Sequence, residues 1–139
     1  MVFFFDLNVE MKLTTEESRD WKTLPHAPEP GAVIGLLADL PDGGVELFDF
    51  GPAETPFRLL LLRSGDRVFA YVNRCAHFGV PLSANKAHLH FKPHVSVSCN
   101  VHYARFRWQD GFCDFGDCEG ESLLSVPVAV CDGEIRIAR

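Results

Sequence analysis

The chain lacks any long apolar run. No stretch approaches the roughly 18 continuous apolar residues of a membrane span, and the opening Val2-Phe3-Phe4-Phe5 stops at Asp6. No basic residue precedes that tetrad, so it does not read as a signal peptide. A soluble, cytoplasmic protein with no membrane partner is expected. A basic excess is missing too, since the formal net charge is -6. Phosphates want a basic surface, so nucleic acid is not an expected partner. The acidic balance suits a protein that meets a basic partner. A closed disulfide framework is excluded, because five cysteines cannot all pair within one chain. In a cytosolic protein, cysteines are more often metal ligands or free thiols. Internal repeats and low-complexity tracts are absent.

What remains is an ordinary globular composition. Apolar residues make up 47% and charged residues 23% of 139 residues, enough for one domain with its own core. Residues 1–30 read as an N-terminal extension. Thr14-Thr15-Glu16-Glu17 carries a capping-box pattern, and a short helix can run on toward Trp21. Pro25, Pro28 and Pro30 then break the chain.

From Gly31 the pattern is β. Strands are expected over Ala32 to Leu40 and Val45 to Phe50, around the turn Pro41-Asp42-Gly43-Gly44. Phe57 to Arg63 and Arg67 to Asn73 flank Ser64-Gly65-Asp66 as a hairpin. Val126 to Cys131 and Glu134 to Ala138 flank Asp132-Gly133, a favoured type I′ turn. Val126, Val128 and Val130 share one face, as do Ile135 and Ile137.

Between these hairpins lies Arg74 to Ser122, with four of the five cysteines and five of the six histidines. It reads as a loop-built site inserted into a β scaffold. Cys75-Ala76-His77 is one clip and Cys99-Asn100-Val101-His102 is another, with 21 residues between His77 and Cys99. Each clip brings a soft thiolate and an imidazole onto one tight turn. That donor set admits zinc or iron. A structural zinc finger takes both cysteines from one turn and both histidines from a helix, whereas each turn here gives one of each.

The segment resembles the Rieske [2Fe–2S] family. Asn73-Arg74-Cys75-Ala76-His77-Phe78-Gly79-Val80-Pro81-Leu82 is similar to its first cluster loop, and Cys99 to Phe106 to its second. Asp110-Gly111, the Leu-x-x-x-Pro-Val run from Leu123 to Val128, and the terminal Asp132-Gly133 hairpin follow the same pattern. The resemblance covers about residues 31–139 and implies an all-β, ISP-like fold. Antiparallel sheets would then carry a small inserted cluster-binding subdomain at about residues 74–122. It also implies that Cys75 and Cys99 hold one iron, and His77 and His102 the other.

The departures from the pattern are informative. The respiratory-complex branch cross-links its cluster loops through two further cysteines, whose places are held by Val80 and Val101. Its serine and tyrosine donors near the cluster are replaced by Ala104 and Phe106. Hydrogen bonds to sulfur favour the reduced cluster. Their loss points to the low end of the Rieske window of about −150 to +300 mV. Tyr103 stands where a glycine is common, and Gly116-Asp117 lacks a proline common in relatives.

With neutral imidazoles, the oxidised core carries no net charge, and one electron makes it singly negative. Adding an electron to a neutral centre costs less than adding one to an all-cysteine cluster. His77 and His102 can couple that electron to a proton and offer a contact edge to a redox partner. No two-His-one-carboxylate iron motif is present. The expected function is therefore an electron carrier, not an enzyme, taking electrons from a reductase and giving them to an oxygenase or other redox enzyme. A small subunit or redox regulator of a larger oxidoreductase is the alternative, and a zinc-stabilised binding module a third.

The other chemistry-bearing residues have plainer readings. His88, His90 and His94 are read as a solvated loop rather than a second metal site. Cys113 and Cys118 are read as free thiols in a third loop that shields the cluster, and Cys131 as a small strand residue. Phe78, Phe91, Tyr103, Phe106, Trp108, Phe112 and Phe115 are read as packing. Asp110, Asp114, Asp117, Glu119 and Glu121 are read as a solvated acidic face.

Overall fold

The computed structural model describes residues 21–75, 81–99, 104–116 and 118–138. His77, Phe78, Val80, Val101, His102, Tyr103 and Asp117 lie outside these, as does nearly all of the helix expected before Trp21.

Alternating apolar residues build three antiparallel sheets. The first joins β1 (Val33–Leu36), β10 (Glu134–Ile137) and β9 (Val128–Cys131), in that order. The second runs β2 (Val45–Phe50), β3 (Phe57–Ser64), β4 (Arg67–Val72). The third is built from short strands: β5 (His90–Lys92), β6 (Ser96–Ser98), β7 (Arg105–Arg107) and β8 (Cys113–Phe115). Both expected hairpins are present. Ser64 pairs with Arg67 across Gly65-Asp66, and Cys131 with Glu134 across Asp132-Gly133. Both residues of the latter turn have positive φ, 52° and 79°, as a type I′ turn requires.

β3 is buried on both faces. Phe57, Leu59 and Leu61 pack with Ile34, Ile135 and Ile137 of the first sheet and with Val126 just before it. Leu60 and Leu62 pack the other way, with Val97 and Phe106 of the third sheet and Trp108 just after β7. The period of two along one strand therefore divides the interior into a frame core and a site core. Each of these leucines is at most 1% exposed. Truncating one to alanine should cost about 2–5 kcal/mol.

Three sequence expectations need correction. The strand from Ala32 ends at Leu36, because Leu37–Asp39 coil into a 3-10 turn closed by the Leu40 N–H on the Leu37 carbonyl. The last hairpin starts at Val128 rather than Val126, since Pro127 has no N–H for a ladder. The segment from Arg74 is not loop alone, because it contains the four-stranded third sheet. Trp21 is buried against Phe57 at 6.3 Å between ring centroids, so residues following it are tied to the frame.

Candidate metal centre

Two loop roots bring two cysteines into the site core. Cys75 follows β4 and Cys99 follows β6, and they are 1% and 0% exposed. Both belong to the same buried cluster as Leu82, Val97, Phe106 and Trp108.

The first root is closed by one side chain. Asn73 donates from Nδ2 to the Ser83 carbonyl at 2.8 Å and accepts the Leu82 N–H on Oδ1 at 2.9 Å. Its own N–H donates to the Arg58 carbonyl at 2.8 Å. The chain thus leaves the frame and returns at a single buried amide, 3% exposed, with Cys75 just inside. The second root is closed by the backbone, where the Cys99 N–H donates to the Ala104 carbonyl at 2.7 Å. Beneath it, β6 and β7 pair from Ser98↔Arg105 to Ser96↔Arg107.

A third loop leans on the second. Gly116 has φ +106°, and a Cβ there would lie 2.8 Å from the Ala104 Cα. Only glycine allows both this backbone and this approach. The loop carries Cys113 and Cys118, both 0% exposed, with their Sγ atoms 3.0 Å apart. Burial pushes the Cys118 thiol up, and the neighbouring Cys113 and Cys75 sulfurs add to the shift. These two cysteines are free thiols, as expected.

The site is fastened to the frame by an aromatic pair. The Tyr71 hydroxyl donates to the Trp108 carbonyl at 2.6 Å, and Trp108 Nε1 donates to the Ser96 carbonyl at 2.9 Å. Burial raises the Tyr71 pKa above its ordinary value, and the nearby Asp110 charge adds to this.

The remaining candidates sort by exposure. His88, His90 and His94 are all exposed. His94 Nδ1 lies 2.7 Å from the Ser64 hydroxyl, and its ring packs 5.8 Å from that of Trp108. Among the described residues, no group of three or more His, Cys, Asp or Glu is arranged to hold a metal. Phe106 and Trp108 pack as expected, but Phe115 is 58% exposed, under the Arg105 guanidinium. Asp114 pairs with Arg105 at 2.8 Å, and Asp110 with Arg107, so the acidic face is partly neutralised. Asp110 is held below its ordinary pKa chiefly by the hydrogen bond from Arg107. Cys131 lies exposed at the end of β9. Asn73 escaped the sequence reading as a structural part, since a single polar residue shows no period.

Residues 32–129 match the Rieske [2Fe-2S] domain model. The chain belongs to the Rieske [2Fe-2S] domain family. No curated protein matches it. Among solved structures it is similar to the ferredoxin of carbazole 1,9a-dioxygenase from Nocardioides aromaticivorans IC177. Identity there is 23% and the TM-score 0.63, over 79% of this chain and 98% of that one. It is also similar to a chain in the complex of reduced oxygenase and oxidized ferredoxin in carbazole 1,9a-dioxygenase. That match has 21% identity and a TM-score of 0.63, over 80% and 94% of the two chains. A third match, in the reduced complex between oxygenase and ferredoxin, has 21% identity and a TM-score of 0.65. It covers 78% of this chain but 28% of the longer chain found there. These likenesses share the fold.

Membership of the Rieske family implies a Rieske-type [2Fe–2S] cluster. The described residues fit one. Two buried thiols stand at the roots of two loops closed independently, in a core that also holds Tyr71, the Cys113 and Cys118 thiols and a majority of apolar side chains. Such a core offers sulfur donors and excludes water, the setting an iron–sulfur unit requires.

Proposed function

We propose that this Rieske protein carries single electrons and that Cys75, His77, Cys99 and His102 hold its cluster. In this reading it takes electrons from a reductase and passes them to an oxygenase or other redox enzyme. It acts as a carrier and not as a catalyst. The observation that carries the reading is the burial of Cys75 and Cys99 in one core, within a family match spanning most of the chain. The solved structures it resembles include a dioxygenase ferredoxin and oxygenase–ferredoxin complexes, which supports an oxygenase as acceptor.

When bound, the cluster supplies a one-electron couple whose potential the two histidines raise relative to an all-cysteine site. The chain supplies the rest. The Asn73 clasp fixes where Cys75 emerges, and the Cys99–Ala104 bond does the same for Cys99. Leu82, Val97, Phe106 and Trp108 keep water from the two sulfurs. Among the described residues, no helix is long and apolar enough to cross a membrane.

Anaerobic purification tests this reading. Two irons and two acid-labile sulfides per chain are expected, with a reduced-state EPR signal of Rieske type. Cys75→Ser and Cys99→Ser should each abolish it. One zinc and no labile sulfide would overturn the reading.

A further inference from the structure

Cys113 and Cys118 have no part in the electron-carrier reading. Cys113 opens β8, the chain reverses around Gly116, and Cys118 returns to face it. Backbone hydrogen bonds hold the reversal. The Cys113 N–H donates to the Glu121 carbonyl at 2.7 Å, the Gly120 N–H to the Cys113 carbonyl at 3.2 Å, and the Glu119 N–H to the Gly116 carbonyl at 3.1 Å. The two sulfurs therefore face each other in a frame that does not depend on a bond between them.

We propose that Cys113 and Cys118 form a reversible disulfide that locks this third loop over the site core. Their Sγ atoms stand 3.0 Å apart, against the about 2.05 Å of a disulfide. The difference of about 1 Å is within reach of rotation about the two Cα–Cβ bonds. The polar contacts given up are weak ones, the Cys113 Sγ contact to the Phe115 carbonyl at 3.3 Å and the Cys118 thiol's contact with the Cys75 sulfur. Among the described cysteines, Cys131 is exposed on the opposite sheet, and Cys75 and Cys99 are the sulfurs assigned to iron, so this pair is the one placed for it.

The oxidant class is a small-molecule disulfide, RSSR. One thiol of the pair attacks RSSR, forming a mixed disulfide and releasing RSH. The second thiol then displaces the other RSH, leaving the Cys113–Cys118 bond. Two cysteine thiols lose two electrons and two protons, and RSSR gains both as two RSH. Both thiols are buried, and exchange needs an exposed thiolate, so the step requires the loop to open. Formation and reduction of the bond should both be slow while the loop is closed.

The test uses the cluster-loaded Cys131→Ser protein, equilibrated without oxygen in mixtures of oxidised and reduced glutathione. Acid quenching, alkylation and tryptic mapping follow. Cleavage after Arg107 and Arg136 leaves Cys113 and Cys118 on one peptide, so the bond registers as the loss of two hydrogens from that peptide. The expected result is that loss at oxidising ratios, its reversal at reducing ratios, and its absence in Cys118→Ala. The proposal is overturned if both thiols are alkylated at every ratio, if a glutathione adduct persists on either, or if the bridge involves Cys75 or Cys99. Because the readout is the thiol state of one peptide, it stands or fails separately from the iron and sulfide content.

Discussion

Replacing Asn73 with alanine should unfasten the first loop root. The substitution removes the acceptor of the Leu82 N–H and the donor to the Ser83 carbonyl, bonds of 2.9 and 2.8 Å made by a residue 3% exposed. Neither backbone group has water to turn to, because Leu82 is itself fully buried. A buried group left without its partner costs about 1–3 kcal/mol, so the two together cost about 3 kcal/mol. Unfolding entropy of about 2.1 cal/mol/K per residue gives about 0.29 kcal/mol/K for 139 residues, hence a fall in Tm of about 10 °C. Thermal scans of the loaded protein, followed at the visible absorbance and by far-UV circular dichroism, measure it. The visible signal should be lost first, since the clasp closes the loop that presents Cys75. A Tm within about 2 °C of the parent, with unchanged iron content, would refute the claim that this amide holds the loop.

Tyr71→Phe should cost about 1–2 kcal/mol by leaving the buried Trp108 carbonyl without a donor, and urea midpoints would show it. The parent should also lose stability as pH rises through the ordinary tyrosine value of 10.0, because the unfolded Tyr71 ionises there while burial holds the folded one protonated. Tyr71→Phe should lack that part of the slope, and identical slopes would count against the buried hydroxyl. Gly116→Ala forces a Cβ to 2.8 Å from the Ala104 Cα at a φ of +106°. About 2 kcal/mol of destabilisation should follow, with faster amide exchange at Ala104. The midpoint potential should sit toward the low end of the Rieske window, because Ala104 and Phe106, both fully buried, bring no hydroxyl to the site core. A value above roughly +150 mV by redox titration would contradict this.

The long elements were legible in the sequence because their burial is one-sided or their turns are typed. β2, and the β3–β4 and β9–β10 hairpins, fall where alternation and Gly-containing turns place them. The third sheet was not legible as a sheet, because strands of three residues are too short to show a period of two. Cysteine–histidine spacing singled out Cys75, His77, Cys99 and His102 as the proposed ligands, and the family match spans all four positions. Cys75 and Cys99 are buried, while His77 and His102 lie outside the described residues. What no spacing announced were the contacts between distant segments. Asn73 reaches Leu82 and Ser83, Tyr71 reaches Trp108, and Gly116 rests on Ala104. Each depends on a single residue meeting a partner that only the fold brings near. The exposure of Phe115 is of the same kind, since an aromatic at a short strand's end has no pattern to assign its side.

The double burial of β3 bears on how the molecule comes apart. Leu59 and Leu61 serve the frame core while Leu60 and Leu62 serve the site core, within four consecutive residues. Neither core can melt without stripping one face of the same strand, so the two should unfold as one cooperative unit. The amides of residues 59–62 should then be among the slowest to exchange with deuterium. A fragment holding only the third sheet and its loops would lack the wall against which Phe106 and Trp108 pack. Grafting this centre onto another scaffold therefore means carrying β3 with it.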